Sequence, residues 1–461
     1  MNKKLEEFNN KLKISNIAIL GLGVSNVPLL DYLKELGCNV TIFNTKELDK
    51  ELIEKLESLN CKYYIGENAL DNLNGFDIIF RSPSILPTRK EIEKAKENGS
   101  IITSEVREVL NLCPCKVIGI TGSDGKTTTT TLINEILTTN GYTTHLGGNI
   151  GTPLFTKIKD MKKEDIIVLE LSSFQLMDFD ISPDISVITN ISENHLDIHK
   201  DFDEYIESKK NIFKYQSNDG ILVTNLDNEI TNKLEGSGET RYFSRSKQLD
   251  KGFYTDGKYI YYNNEIIIDT KDIKLRGIHN YENICTALSA VIDLIDLDKS
   301  IEAIKKFNGV EHRLEFIREI NGVKWYNDSV SSSPTRTIAG LYSYEEDIVL
   351  IAGGYDKNLD YTPIAKPILD KVTKLILMGD TKGKIYEAVM KEQTSRIANN
   401  ISNDKDIKIY LCNSLQEVVN KAKEVAKSNE VVLFSPASAS FDMFKNFADR
   451  GEQFKELVNK L

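Results

Sequence analysis

Residues 117–131 read VIGITGSDGKTTTTT, an apolar strand that breaks into a glycine-rich turn and then a helix. Such a junction points backbone N–H groups and the positive end of a helix at one spot, which suits a phosphate. Lys126 adds a mobile positive charge for the outer phosphates, and Thr127 places a hydroxyl where magnesium would sit. Gly122, Ser123, Asp124, Gly125 and Thr128 complete this candidate loop. The strict G-x-x-x-x-G-K-[ST] pattern is not met, because Ile120 takes the first glycine position and the glycines fall at 119, 122 and 125. Threonines 127 to 131 are poor helix formers, and only the first one or two can reach a ligand. The chemistry suggested is phosphoryl transfer, which also needs a divalent metal and groups to hold it.

Glu170 near the end of the apolar run 166–171 puts an acid at the carboxyl end of an expected strand, where open α/β sheets hold ligands. A second apolar run, 185–191, leads into Glu193, Asn194, His195, Asp197 and His199. Taken alone such loop ends are simply solvated; beside a nucleotide loop they become metal candidates. In the expected helix 202–213 the apolar positions are Phe202, Tyr205, Ile206, Ile212 and Phe213, and the gap in that stripe is Lys209. A lysine on a buried face is partly an unprotonated amine, able to take up carbon dioxide as a carbamate that binds metal. The competing reading is a lysine whose stem covers apolar surface while its head stays in water. Asn280 and Asn283 lie one helical turn apart, so both amides can face one ligand edge such as adenine, or serve as caps.

Near the N-terminus GLGVSN, residues 21–26, is a G-x-G turn at a helix start that can hold a diphosphate. The strand that should end in an acid for a ribose ends in Asn44, which disfavours NAD and a dehydrogenase.

The elements around these residues alternate: apolar runs at 17–20, 40–43, 78–80, 117–120 and 166–171 each precede an amphipathic stretch. That rhythm predicts parallel sheets covered by helices. Seams at 111–116 and 307–313 divide the 461 residues into three units, 1–113, 114–310 and 311–461. Within the middle unit, 252–270 reads as a β insertion with hairpin turns at Asp256-Gly257 and Asn263-Asn264. A composition 40% hydrophobic and 28% charged is that of a globular protein too long for one core. No apolar run is long enough to span a membrane, and no signal core opens the chain, so no membrane insertion and a cytoplasmic location are expected. A formal charge of −11 with no basic stripe argues against nucleic acid. The six scattered cysteines read as reduced and structural.

Together these motifs resemble the Mur ligase family over essentially the whole chain. The carriers are TGSDGKTTT, GGNIG at 147–151, ELSSFQL at 170–176, NHLD at 194–197, YIESK at 205–209 and HNYEN at 279–283. The resemblance implies an α/β fold of three domains: a Rossmann-like UDP-binding domain, a central P-loop-type ATPase domain with a small β insertion, and a C-terminal Rossmann-like domain. It implies ATP and Mg2+, with Lys126 and Thr127 at the phosphates and Glu170, His195, Thr127 and a carboxylated Lys209 at the metal. Asn149 and His195 would contact a muramoyl substrate, Asn280 and Asn283 adenine, and Arg313 and Asp328 the ribose and phosphate side of ATP. The two ends of the chain are similar to the branch of the family that adds D-glutamate to UDP-N-acetylmuramoyl-L-alanine. That implies Gly23, Val24 and Ser25 at the diphosphate, Asn44 and Thr45 at the uracil, and Ser84 beside the substrate. SPASASFDMFKNFADRG at 435–451 and GGYDK imply Ser440, Phe447 and Lys357 as D-glutamate contacts, with Ser332 facing the same amino acid. Family chemistry runs through an acyl phosphate and a tetrahedral intermediate; a monomer is expected. Departures from the family pattern are Ser84 for Gly, Val330 for Lys, Ser332 for Thr and Lys46 for Arg. Another acceptor amino acid, or a nucleotide-gated binding protein without ligase chemistry, are the competing readings.

Overall fold

The computed structural model describes residues 2–193, 198–399 and 407–461. Its first sheet comprises β1 (Asn16–Leu20), β2 (Asn39–Asn44), β3 (Lys62–Ile65), β4 (Ile78–Arg81) and β5 (Ile101–Thr103) in the order β3-β2-β1-β4-β5. All neighbours are parallel, so the carboxyl ends of β1, β2 and β4 share one edge. Strand order reverses between β1 and β4, which is where a crevice opens in such sheets.

The second sheet has nine strands: β6 (Lys116–Thr121), β7 (Thr144–Gly148), β8 (Ile166–Glu170), β9 (Ile185–Ile188), β10 (Ile221–Asn225), β11 (Glu239–Ser244), β12 (Phe253–Thr255), β13 (Tyr259–Tyr262) and β14 (Glu265–Asp269). Their order is β14-β13-β12-β11-β10-β9-β6-β8-β7. The pairs from β7 to β11 are parallel, while the insertion adds an edge meander in which β12 and β13 are antiparallel. Its expected turns are formed: Asn263 and Asn264 take φ of 49° and 70°, as a two-residue hairpin loop requires, and Gly257 takes 86°. Cross-strand rings stack at 4.4 Å (Phe253–Tyr262) and 4.6 Å (Tyr254–Tyr261). Strand β9 ends three residues short of the expected run because Thr189 and Asn190 turn to hold the glycine-rich loop at Asp124.

These two sheets belong to one compact unit, Met1–Ile268 with Glu282–Ile304. Phe155, 1% exposed, joins them: its ring meets Tyr32, Phe8 and Phe80 edge-on at 5.3, 6.3 and 6.4 Å. Beneath it the buried Glu105 carboxylate accepts from the Leu154 and Phe155 amides, both at 2.8 Å. Burial pushes its pKa up, against the pull of those two amides.

A second unit, Asp269–Tyr281 with Lys305–Leu461, contains β15 (Glu315–Ile320), β16 (Val323–Asn327), β17 (Ile348–Ala352), β18 (Val372–Leu377), β19 (Lys408–Leu411) and β20 (Val431–Phe434). Their order is β15-β16-β20-β17-β18-β19, with only β15 antiparallel to its neighbour. Apolar layers cover both faces: Leu350, Leu375 and Leu433 on one, Ile351, Ile376 and Val432 on the other. This double burial explains why β17, IVLIA, is apolar throughout. Among the described residues no helix is long and apolar enough to cross a membrane, and all six cysteines are unbridged.

Candidate active site

The candidate phosphate loop joins β6 to the helix Lys126–Thr139. Its glycines are required by close approach: a Cβ on Gly122, at φ 148°, would lie 1.9 Å from Thr189 Oγ1. On Gly125, at φ 79°, it would lie 2.4 Å from Asn283 Oδ1. The segment after β9 holds the loop from outside. Asn190 accepts from the Ser123 amide at 2.9 Å and, through Oδ1, from the Asp124 amide at 3.0 Å. Ser123 Oγ donates to Ser192 O and accepts from Ser192 N, both at 2.9 Å, and pairs with Tyr205 OH at 3.0 Å. Neither Asn190 nor the Tyr205 hydroxyl is signalled by the sequence, in which Tyr205 reads as an apolar member of its stripe. Thr128, Thr129 and Thr130 are buried, so most of the threonine run packs inward.

Two lysine head groups meet at one carbonyl. Lys126 Nζ donates to Gly122 O at 2.8 Å and to Ser123 O at 3.0 Å, while Lys209 Nζ donates to the same Gly122 O at 2.9 Å. Lys209 is 1% exposed and its Nζ lies 4.6 Å from the centroid of the Tyr205 ring. Its head group is therefore buried with its stem, which excludes the surface-covering role. Burial, then the charge of Lys126, hold its pKa well below the ordinary lysine value, against the pull of Asp124 and Glu170.

Register between β6 and β8 sets Glu170 beside Ile120, at the sheet edge from which the phosphate loop departs. The side chain is 1% exposed; Oε1 accepts from Asn149 Nδ2 at 2.9 Å, and Oε2 is buried with no hydrogen-bond donor among the described residues. A buried, unpartnered carboxylate oxygen is costly unless a cation reaches it. Hard oxygen donors from Glu170 and Thr127 fit magnesium. Lys126, Glu170 and Lys209 thus share one neighbourhood. His195 lies outside the described residues.

His199 is a packing residue. Its ring stacks on Phe174 at 5.1 Å, Nε2 pairs with Ser173 Oγ at 3.0 Å, and burial lowers its pKa. Asn283, buried, lies against Gly125 and within 3.4 Å of Thr129 Oγ1. The Asn280 amide donates to Arg276 O at 2.7 Å.

On the first sheet a cleft of about 290 Å³ is lined by Gly21, Gly23, Asn44, Ser82 and Ser84 among others. Gly23 and Val24 are exposed, Ser25 precedes the helix Asn26–Glu35 without a side-chain capping hydrogen bond, and Thr45 is half-buried after β2. Asn44 Oδ1 accepts from the Leu22 amide at 3.0 Å and its Nδ2 donates to Lys46 O at 2.6 Å, so the side chain braces the turn. Ser84 is absent from the positive-φ residues, so replacing the family's usual glycine strains nothing.

In the second unit the loops after β16, β17 and β20 leave from one edge and carry Asp328, Ser332, Lys357 and Ser440, with Phe447 opening the helix Phe447–Asn459. Lys357 is exposed, its Nζ 5.8 Å from the Phe441 ring centroid; Phe447 is 44% exposed; Ser440 is buried; Ser332 is half-buried. Asp328 is fully buried and accepts from Ser435 Oγ at 2.6 Å and the Leu314 amide at 3.3 Å. Desolvation pushes its carboxyl up to about 6, with nearby Arg313 pulling the other way. Sequence reading also missed Arg450, 0% exposed, which ties the loops together through Ser329 Oγ at 3.0 Å, Ser329 O at 2.8 Å, Ser438 O at 3.1 Å and Ala439 O at 2.8 Å. Glu311, His312 and Glu452 form a cluster of metal-ligating groups, but Lys455 stands among them, its Nζ 2.5 Å from Glu311 and 2.7 Å from Glu452.

Known proteins match this arrangement along its length. The MurD-like N-terminal domain of Mur ligases matches residues 15–104, the Mur ligase middle domain 120–291, and the glutamate ligase domain of Mur ligases 312–438. UDP-N-acetylmuramoylalanine--D-glutamate ligases from Clostridium botulinum strain 657 and Clostridium novyi strain NT are each 48% identical, over 100% of both chains. Among solved structures, UDP-N-acetylmuramate-alanine ligase from Thermotoga maritima shares the fold at TM-score 0.59 and 19% identity, covering 97% of this chain and 99% of that one. With all three domains matched in order and the identity sustained from end to end, the chain belongs to the Mur ligase family.

Proposed function

We propose that this protein is an ATP-dependent ligase that joins D-glutamate to UDP-N-acetylmuramoyl-L-alanine, forming ADP and phosphate, in peptidoglycan precursor synthesis. The observation that carries the chemistry is the buried, unpartnered Glu170 oxygen beside a phosphate loop where Lys126 and Lys209 converge on Gly122 O. The choice of acceptor and sugar substrate rests on the full-length relatives named above.

A carboxylate resists attack by an amine until its oxygen becomes a good leaving group. Transfer of the ATP γ-phosphoryl group onto the L-alanyl carboxylate provides this, and the D-glutamate amine then displaces phosphate through a tetrahedral oxyanion. All three substrates are anionic and the chain carries −11, so cations must act locally. Lys126 takes the outer phosphates, and the Gly122 to Thr128 loop orients them with backbone amides. Thr127, Glu170, His195 and Lys209 would hold Mg2+, which supplies charge neutralisation on the phosphoryl oxygens. The lowered Lys209 pKa favours the neutral amine, whose addition to carbon dioxide releases a proton and leaves a carbamate anion. Asn280, Asn283, Arg313 and Asp328 serve the adenosine side. Gly23, Val24, Ser25, Asn44, Thr45 and Ser84 serve the UDP-sugar, Asn149 its muramoyl part, and Ser332, Lys357, Ser440 and Phe447 the incoming glutamate. We assign these roles to domains 1–113, 114–310 and 311–461 of a cytoplasmic monomer.

The test is phosphate release with UDP-N-acetylmuramoyl-L-alanine against a panel of D- and L-amino acids. Release that depends on both the sugar substrate and D-glutamate is expected. A preference for another amino acid would reassign the acceptor, and release indifferent to any amino acid would sink the ligase reading.

A further inference from the structure

Arg81, the last residue of β4, is fully buried, and all five of its N–H groups are engaged. Two serve its own loop: NH1 donates to Ser82 O at 3.3 Å and to Ile85 O at 2.9 Å. Three cross to the second sheet: Nε donates to Asp178 Oδ2 at 3.0 Å, and NH2 donates to Asp178 Oδ1 at 2.7 Å and Phe174 O at 3.1 Å.

Both ends of this clamp abut candidate chemistry. Ser82 and Ser84 line the 290 Å³ cleft, and Ser82 Cβ sits so close over Gly21 that a Cβ there would meet it at 3.0 Å. At the other end, the segment to Asp178 follows Glu170 directly. It is stiffened by the Ser172–Gln175 capping box, by the Phe174 stack on His199, and by Asn211 Nδ2 donating to Leu176 O at 2.9 Å. The planar guanidinium suits this task because its donors leave in fixed directions; an ammonium has three donors and no such fork.

We infer that Arg81, held by Asp178, is a positioning residue that sets the register between the UDP-sugar cleft and the strand end bearing Glu170. The inference rests on the proposed ligase reading, in which a substrate anchored in the cleft must present its far carboxylate to a phosphoryl group near Lys126. Misplacement by about 1 Å at such a distance costs on the order of a hundredfold in rate. Arg107 and Asp180 form a neighbouring bridge at 2.6 Å, and the other partner of Arg107 is Glu108 rather than the Ser82 loop, which makes Asp180 the control.

The experiment compares full-length wild type, Asp178→Asn, Arg81→Lys and Asp180→Asn by steady-state kinetics for each substrate and by calorimetric titration with UDP. For Asp178→Asn and Arg81→Lys, kcat/KM for the UDP-sugar is expected to fall at least tenfold and UDP affinity at least fivefold. KM for ATP and D-glutamate should stay within twofold, and Asp180→Asn should match wild type throughout. Unchanged UDP affinity and UDP-sugar kinetics in Asp178→Asn overturn the inference. So does a loss shared equally by Asp178→Asn and Asp180→Asn that follows their melting temperatures, since that is a purely structural role. Wild type that binds UDP but makes no product sinks the ligase reading alone, with the clamp then judged on UDP affinity; wild type that binds no UDP sinks both.

Discussion

Replacing Lys209 with methionine should make the metal-free protein more stable while abolishing turnover. The side chain is 1% exposed and donates to Gly122 O at 2.9 Å, with Thr121 Oγ1 at the limit of reach at 3.4 Å. Methionine has nearly the same length and places its sulfur against the Tyr205 ring. A sulfur–aromatic contact of about 0.3–1.5 kcal/mol offsets most of a lost cation–π contact of about 0.5–2 kcal/mol. Gly122 O keeps a donor, since Lys126 Nζ reaches it at 2.8 Å. What remains is relief of a buried, incompletely paired ionisable group, worth about 1–4 kcal/mol when such groups are replaced by apolar ones. The sign with pH follows from the lowered pKa. Unfolded chain holds the lysine proton up to its ordinary value of 10.5, whereas folded chain gives it up earlier. Wild-type stability therefore rises with pH between the depressed folded value and 10.5, relative to the variant. Urea unfolding of both proteins, in EDTA and carbonate-free buffer from about pH 6.5 to 9.5, should show the advantage of Lys209→Met shrinking as pH rises. A variant less stable than wild type, or an advantage flat with pH, would refute the reasoning that the amine is held in the fold against its own hydration.

Gly148→Ala places a Cβ 2.2 Å from Glu170 O at a φ of 91°, so urea unfolding should show a loss of about 2 kcal/mol or more and metal-dependent turnover should collapse. Asp328, raised to about 6 from 3.8, contributes stability that is complete below pH 3.8 and lost as pH rises through about 6. The stability of Asp328→Asn relative to wild type should therefore climb by up to roughly 3 kcal/mol between pH 4 and 7, and a flat difference in urea unfolding would contradict the assignment. Lys126→Ala is expected to form no ADP while keeping its circular dichroism spectrum, and wild-type-like turnover would remove Lys126 from the phosphate site.

What could be read from the sequence was local or periodic. The phosphate loop announces itself because its glycines, lysine and threonine are consecutive, and backbone geometry at a strand–helix junction follows from a few residues. Lys209 was legible as the gap in an apolar helical stripe, and Glu170 as an acid at the end of an apolar run; both prove buried at one sheet edge. The hairpin turns of the insertion were legible because adjacent Asn residues tolerate positive φ. Periodicity is silent about partners distant in the chain. Arg81 meets Asp178 across 97 positions, and Arg450 meets Ser329 across 121. In both cases the guanidinium meets a side-chain oxygen together with backbone carbonyls, and no local spacing marks either kind of acceptor. Tyr205 reads as an apolar residue because its ring does pack that way; only the approach of Ser123 Oγ, 82 positions earlier, ties its hydroxyl to the glycine-rich loop. Asn280 and Asn283 show the same limit: helical spacing puts both amides near one face, which is the basis of the adenine reading, but the approach of Asn283 to Thr129 Oγ1, 154 positions earlier, is not encoded in it. Candidate ligand-contacting residues are thus visible from local chemistry, whereas Arg81, Arg450 and Tyr205, which brace the loops around them, are not, because only the fold brings their distant partners together.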